Sequence, residues 1–225
     1  MKRFRIAVLL LCASGAAALA QDPLKLAPQY YKVEIDNEQV RVLRAKRPPH
    51  TQVAMHEHPD YITIYLTDLH QKISTPGGAP QDVTRKKGEV AFSKATKHDE
   101  DNISDQPLEV LVIEPKPGAK RLADVRPDTL DPVKIDPKHH KVQFENDRVR
   151  VIRLLREPHA KIPMHQHVHY VSVALTDVNS KQTLPDGKVI DTHRKAGDVD
   201  WRDPVTHSVE NLGDAQMEEI QVEFK

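Results

Sequence analysis

Displaced by 109 positions, residues 22–116 of this chain lie on residues 131–225 without a gap, and 35 of the 95 superposed residues are identical. Unrelated chains of average composition would match at about six per cent. Repetition on this scale requires one structural plan to be built twice. The copies open as DPLKLAP and DPVKIDP, continue as VRVLRAKRPPH and VRVIRLLREPH, and then reach MHEHPDY and MHQHVHY. Between them lies Pro117–Leu130, polar and broken by Pro117, Gly118 and Pro127, which reads as a linker. The expected organisation is therefore a lobe over 22–116, a linker over 117–130 and a second lobe over 131–225.

Each lobe reads as strands. Val40–Leu43, Ile62–Leu66, Glu89–Phe92 and Leu108–Ile113 alternate or run apolar with β-branched residues, as do their partners Val149–Ile152, Val171–Leu175, Asp198–Trp201 and Met217–Val222. Turn residues separate them, among them Pro76-Gly77-Gly78, Pro185-Asp186-Gly187, Gly88 and Gly197. No stretch sustains a helical period. Short strands with regular turns predict an all-β sandwich or barrel in each lobe.

The first twenty residues stand outside the repeat. Met1–Ala20 has a basic start, an apolar Ile6–Cys12 and Ala18-Leu19-Ala20 before Gln21, the pattern of a secretory signal peptide cleaved near Ala20. The apolar run is short for a stable membrane anchor. The expectation is an exported protein, periplasmic or secreted. Lys+Arg and Asp+Glu are both 33, with none of the basic excess of a nucleic-acid binder. Loss of the leader removes three basic residues and the only cysteine, so neither disulfides nor thiolate ligands remain.

Histidine is the residue to follow: there are 13. Eight form pairs at the repeat distance, namely His50/His159, His56/His165, His58/His167 and His98/His207. Residues two apart on a strand share a face, so His56 and His58 converge while Glu57 points away. His98 and His207 follow 40 residues after the second histidine in each copy, and a neighbouring strand brings each beside the first two. Three imidazoles leave positions open on a metal for water or substrate. The candidate ligands are His56, His58 and His98, with His165, His167 and His207.

These motifs resemble those of the cupins, and the duplication resembles a bicupin. In that superfamily a first motif carries His-x-His followed by a glutamate, and a second ends in His, three residues, Asn. Here stand His56-Glu57-His58 and His165-Gln166-His167, then His98…Asn102 and His207…Asn211, with Gly88 and Gly197 resembling the second motif's opening glycine. The resemblance implies two tandem double-stranded β-helix (jelly-roll) barrels. Two departures are plain. The first motif's glycine is replaced by His50 and His159, and its glutamate is missing, with Ile62, Thr63, Val171 and Ser172 in the places where it would stand.

The resemblance implies a divalent metal (zinc, iron, manganese, nickel or copper) and a small-molecule substrate or ligand. The expected function is metal-dependent, dioxygenase-like or related catalysis; the alternative is a non-catalytic metal- or small-ligand-binding module. Weaker site candidates are Tyr61 and Tyr170 as proton or hydrogen-bond donors, and Arg44 and Arg153, which are either inward cations for an acidic substrate or exposed strand arginines paired with an acid. Asp60 and His169 are candidates for pocket lining or a rim contact rather than for a fourth ligand, since residue 60 lies about 13 Å along a regular strand from His56, and homo-oligomerisation is left open.

Overall fold

A computed structural model describes residues 21–122 and 126–225. The leader over 1–20 and linker residues 123–125 lie outside the described residues. The N-terminal lobe runs α1 (Pro23–Leu26), β1 (Tyr31–Asp36), β2 (Val40–Arg47), β3 (Gln52–His58), β4 (Tyr61–Tyr65), β5 (Leu69–Ser74), β6 (Gln81–Arg85), β7 (Val90–Ser93), β8 (Thr96–Asn102) and β9 (Leu108–Pro115). The C-terminal lobe repeats it as α2 (Pro132–Ile135), β10 (His140–Glu145), β11 (Val149–Arg156), β12 (Lys161–His167), β13 (Tyr170–Ala174), β14 (Val178–Thr183), β15 (Val189–Arg194), β16 (Val199–Arg202), β17 (Val205–Asn211) and β18 (Met217–Phe224).

Each lobe folds into two antiparallel sheets. In the first they are β1-β2-β9-β4-β7 and β3-β8-β5-β6, and in the second β10-β11-β18-β13-β16 and β12-β17-β14-β15. The crossed strand order, with β2 beside β9 and β3 beside β8, is the jelly-roll pattern. The repeated DPxKx entry forms single helical turns. Asp22 and Asp131 cap them by accepting from Leu24 N and Val133 N, and proline occupies the first turn, where its missing N–H has no partner to lose.

The two five-stranded sheets also pack on each other. Val42, Ile62, Ile64 and Ile113 share one core cluster with Val151, Val171, Val173 and Val222. Phe92 stacks on Phe144 across the lobes at 4.4 Å between ring centres. Each of these sheets is thus covered on both faces, which explains why β4 and β13 are buried at every position instead of alternating. The barrel interior is the other face. In the N-terminal lobe it is apolar, with Leu43, Ala45, Tyr61, Tyr65, Val110 and Val112 in one cluster. In the C-terminal lobe the corresponding apolar cluster is only Ala174, Val178 and Met217.

Candidate metal centres

In the N-terminal lobe the histidines are aimed by a β-bulge. β3 pairs with β8 in a register that shifts between Val53 and His56, leaving His56 opposite His98. The extra residue re-aims the strand so that Val53, His56 and His58 all face inward and are buried. The bulge carbonyl of Ala54 accepts from His56 Nδ1 at 2.9 Å. Since a carbonyl can only accept, the ring proton sits on Nδ1 and the Nε2 lone pair faces inward. His58 Nδ1 likewise meets the Glu114 carboxylate at 2.7 Å. Glu114 is held by Arg41 Nε at 2.6 Å, and Arg41 reaches back to Asp22, the cap of α1. His98 Nε2 lies 3.1 Å from His56 Nε2. One ligand atom from each of these three buried rings falls within 4.8 Å of the others.

Beside this set stands Glu100, which sequence reasoning missed. Its carboxylate lies 3.9 Å from His56 Nε2 and 3.8 Å from His98 Nε2. Burial would raise its pKa, but Arg47, whose Nη1 is 2.8 Å away, and the nearby imidazoles outweigh that and hold it at about 2. β8 thus places a carboxylate beside the three rings, at a position other than the first motif's. The available signal was parity: Glu100 follows His98 by two, as His58 follows His56.

The C-terminal lobe repeats the bulge, with the register shifting between Ile162 and His165, and His165 Nδ1 donating to Pro163 O at 2.7 Å. His165 and His167 face each other through their Nε2 atoms at 3.0 Å. His140, His165 and His167 here bring one ligand atom each within 4.8 Å of the others, so a histidine outside the expected His165, His167 and His207 joins the set. His207 is nevertheless adjacent, its ring centre 4.8 Å from that of His165 and 5.5 Å from that of His167. His140 was overlooked because its counterpart in the first copy is Tyr31, so it does not repeat.

Burial pushes His56, His98, His140, His165, His167 and His207 towards neutrality. It lowers His98 and His165 to about 4 and His140 to about 3, and holds His167 and His207 well below the usual imidazole range. They are neutral nitrogen donors at physiological pH, the form a metal needs. The Nε2 atoms of His140 and His207 are buried without a hydrogen-bond partner. Facing lone pairs and orphaned nitrogens in a dry site are what a cation resolves, so the donor set fits a divalent ion.

The remaining sequence candidates divide. Tyr61 and Tyr170 lie against the metal-side rings, 4.9 Å from His58 and 5.1 Å from His167, and burial pushes each phenol up to about 12. Arg44 and Arg153 do not enter the barrels. They share parity with Val42 and Val151, which face the other lobe rather than the interior. Arg44 donates to Gly197 O at 2.6 Å and pairs with Glu34 and Glu109, while Arg153 donates to Gly88 O. The arginines that line the interiors are Arg47 and Arg85 in the N-terminal lobe and Arg156, Arg194 and Arg202 in the C-terminal lobe. Asp60 accepts from Ala95 N and pairs with Lys94 at an exposed rim. His169 stacks on Trp201, 5.6 Å between ring centres, and belongs to neither trio.

The cavities differ as much as the ligands. The N-terminal cavity measures about 200 Å³ and is lined by His58, His98 and Glu100, with Tyr61, Val110 and Val112 among its walls. The equivalent space in the C-terminal lobe is about 30 Å³.

No family model and no curated protein matches this chain. Solved structures do match in fold. AerE from Microcystis aeruginosa superposes with a TM-score of 0.63 at 15% identity, over 92% of this chain and 97% of that one. A cupin 2 conserved barrel domain protein from Leptotrichia buccalis gives 0.56 at 12% identity, over 87% and 88%. A variant of the salicylate 1,2-dioxygenase from Pseudoaminobacter salicylatoxidans gives 0.55 at 9%, over 83% and 71%. The fold is the cupin fold, present twice. The architecture is that of a bicupin, with a buried histidine set in each barrel.

Proposed function

We propose that the protein is an exported, metal-dependent enzyme of dioxygenase-like or related chemistry whose reaction takes place in the N-terminal barrel. The observation that carries this reading is the cavity of about 200 Å³ opening directly onto His58, His98 and Glu100. His56, His58, His98 and Glu100 would hold the ion. Bound there, a divalent metal supplies Lewis acidity or an oxygen-binding centre.

The chain's own residues do the rest. Arg47 and Tyr31 hold Glu100 in place through contacts of 2.8 and 3.4 Å. Tyr61 keeps its proton at neutral pH and offers a donor on the cavity wall. Val110, Val112, Leu69 and Ile73 exclude water from the walls, and Arg85 adds a cation among the lining residues. This combination suits a small organic molecule with an apolar body and an oxygen-rich or anionic end.

Oxygen uptake by the iron-loaded protein over a panel of diketones, phenols and thiols tests the reading. Turnover with one class, lost in a folded His58→Ala variant, supports it. An inert protein at full occupancy with iron, manganese, nickel, copper and zinc overturns it in favour of the binding module. The binding-module reading has its own observation, the filled interior of the C-terminal barrel. Export is tested separately by N-terminal sequencing of protein recovered outside the cytoplasm, with a start at Gln21 expected.

A further inference from the structure

The repeat supplies an internal comparison for a residue that neither histidine set uses. Arg85 and Arg194 occupy the same position in the two copies. In the packed C-terminal barrel Arg194 is buried and paired twice, with Glu219 and with Asp200, each at 2.8 Å. It also donates to Ser172 Oγ at 2.9 Å and Ser172 O at 3.0 Å. The Glu219 carboxylate bridges Arg194 to Arg156, 2.7 Å from its other oxygen, and accepts from Ser172 Oγ at 3.2 Å. This buried cluster fills the interior, and about 30 Å³ remains.

In the open N-terminal barrel the arginine is kept and its acids are gone. Val110 stands in place of Glu219, and Ala91 in place of Asp200. Arg47, the counterpart of Arg156, has a replacement partner in Glu100 at 2.8 Å. Arg85 has no such replacement. Its Nη1 donates to Thr84 O at 3.0 Å, and Tyr65 hydrogen-bonds to it. Among the described residues its ion pair is with the exposed Glu89 at 3.8 Å, beyond hydrogen-bond reach. The charged side chains lining the cavity are then Arg47, Arg85 and Glu100, one cation in excess before any metal is added. The same cavity of about 200 Å³ has Tyr61, Tyr65, Phe92 and Val112 among its walls.

We propose that Arg85 selects the substrate of the N-terminal barrel by holding the carboxylate of an apolar-bodied monocarboxylate, in the place where the C-terminal barrel holds the carboxylate of its own Glu219. The inference rests on the N-terminal barrel being the reactive one. A planar guanidinium matches a carboxylate with two parallel hydrogen bonds, and one negative charge balances the one excess cation. Val110 leaves room for the ligand where Glu219 would fill it, and Thr63, the counterpart of Ser172, puts a hydroxyl among the lining residues.

Calorimetry on the zinc-loaded full chain, with benzoate and its uncharged counterpart benzamide as probes, tests this without turnover. Benzoate should bind at least tenfold more tightly than benzamide, and Arg85→Gln should erase that preference while leaving the benzamide affinity unchanged. Arg85→Lys should restore part of it, since an ammonium keeps the charge and loses the planar fork. Val110→Glu installs the second copy's acid and should remove benzoate binding by pairing Arg85 internally. Arg85 is half-buried and holds no buried acid, so Arg85→Gln decides even if Val110→Glu fails to fold. Three results would overturn the proposal: equal affinity for the two probes, a folded Val110→Glu protein that binds benzoate as before, or an Arg85→Gln protein that still prefers benzoate. The last is what a carboxylate seated on the zinc would give. Inert holoprotein with the Arg85-dependent preference intact would defeat the enzymatic reading and leave the carboxylate site standing. Turnover without that preference would do the reverse.

Discussion

At the scale of single residues, the duplicated histidines have two different jobs. His50 and His159 hold φ of 54° and 59°, a left-handed backbone that favours glycine, where the cupin first motif has its glycine. The ring of each lies against an exposed carboxylate, Asp105 and Asp214 respectively. Such pairs contribute little in water. His50→Gly should therefore leave stability unchanged or raise it by up to about 1 kcal/mol, and His50→Val should lower it by about 1–2 kcal/mol. Urea midpoints of the two variants measure this, and equal stabilities would refute the backbone argument. Glu114 is the opposite case, a buried carboxylate outside the cavity lining that sets the tautomer of His58. Glu114→Gln should weaken N-terminal metal binding by about 10–100-fold with the fold retained, read by competition with a chelator.

The buried imidazoles also set an acid limit on the metal-free protein. Their folded pKa values, about 4 for His98 and His165 and about 3 for His140, lie below the ordinary 6.5. Between those limits the unfolded chain binds more protons than the folded one, so stability falls as pH drops through that range. Denaturation of metal-free protein at pH 7, 5.5 and 4 should show this decline, and a flat profile would contradict the burial described.

Among the elements, β3 and β12 decide most. Their bulges supply the carbonyls of Ala54 and Pro163 and bring three positions of each strand to one face. Deleting Ala54 restores a regular ladder and removes the partner of His56 Nδ1. Metal content should then fall to that of the C-terminal lobe alone, measured by elemental analysis, and unchanged content would show the bulge to be dispensable. Strand alternation made His56/His58 and His165/His167 legible from sequence, because period two is local. The bulge was not legible, since it depends on the register against β8 or β17. Glu100 obeys the same parity rule but does not repeat, Val209 being its counterpart.

Across the whole molecule, the lobes are joined by sheet faces and by reciprocal arginine contacts, Arg44 to Gly197 and Arg153 to Gly88. The cluster around Ile64 spans both lobes, so they should unfold together. Ile64→Ala, a deletion in the N-terminal lobe, should cost about 2–5 kcal/mol. It should also lower the unfolding midpoint seen by Trp201, the single tryptophan, which lies in the C-terminal lobe. A fluorescence midpoint indifferent to Ile64→Ala would mean that the lobes fold independently. The same docking decides between the two places open to Arg44 on sequence grounds, the barrel interior and a strand face where it pairs with an acid, in favour of the second. Alternation shows which residues share a face, but not whether that face looks into a barrel or onto a second lobe.

The sequence by itself determined the duplication, the all-β character, the cupin resemblance and six of the histidines, because repeats and period-two patterns are properties of neighbouring residues. Tertiary structure alone decided which partners complete each set. Glu100 joins His56 from an adjacent strand, and His140 meets His165 and His167 across the barrel from the other sheet. Those meetings depend on strand order, register and the filling of each interior. The two copies share a fold and differ in those contents, so one repeat encloses an open cavity and the other a packed one.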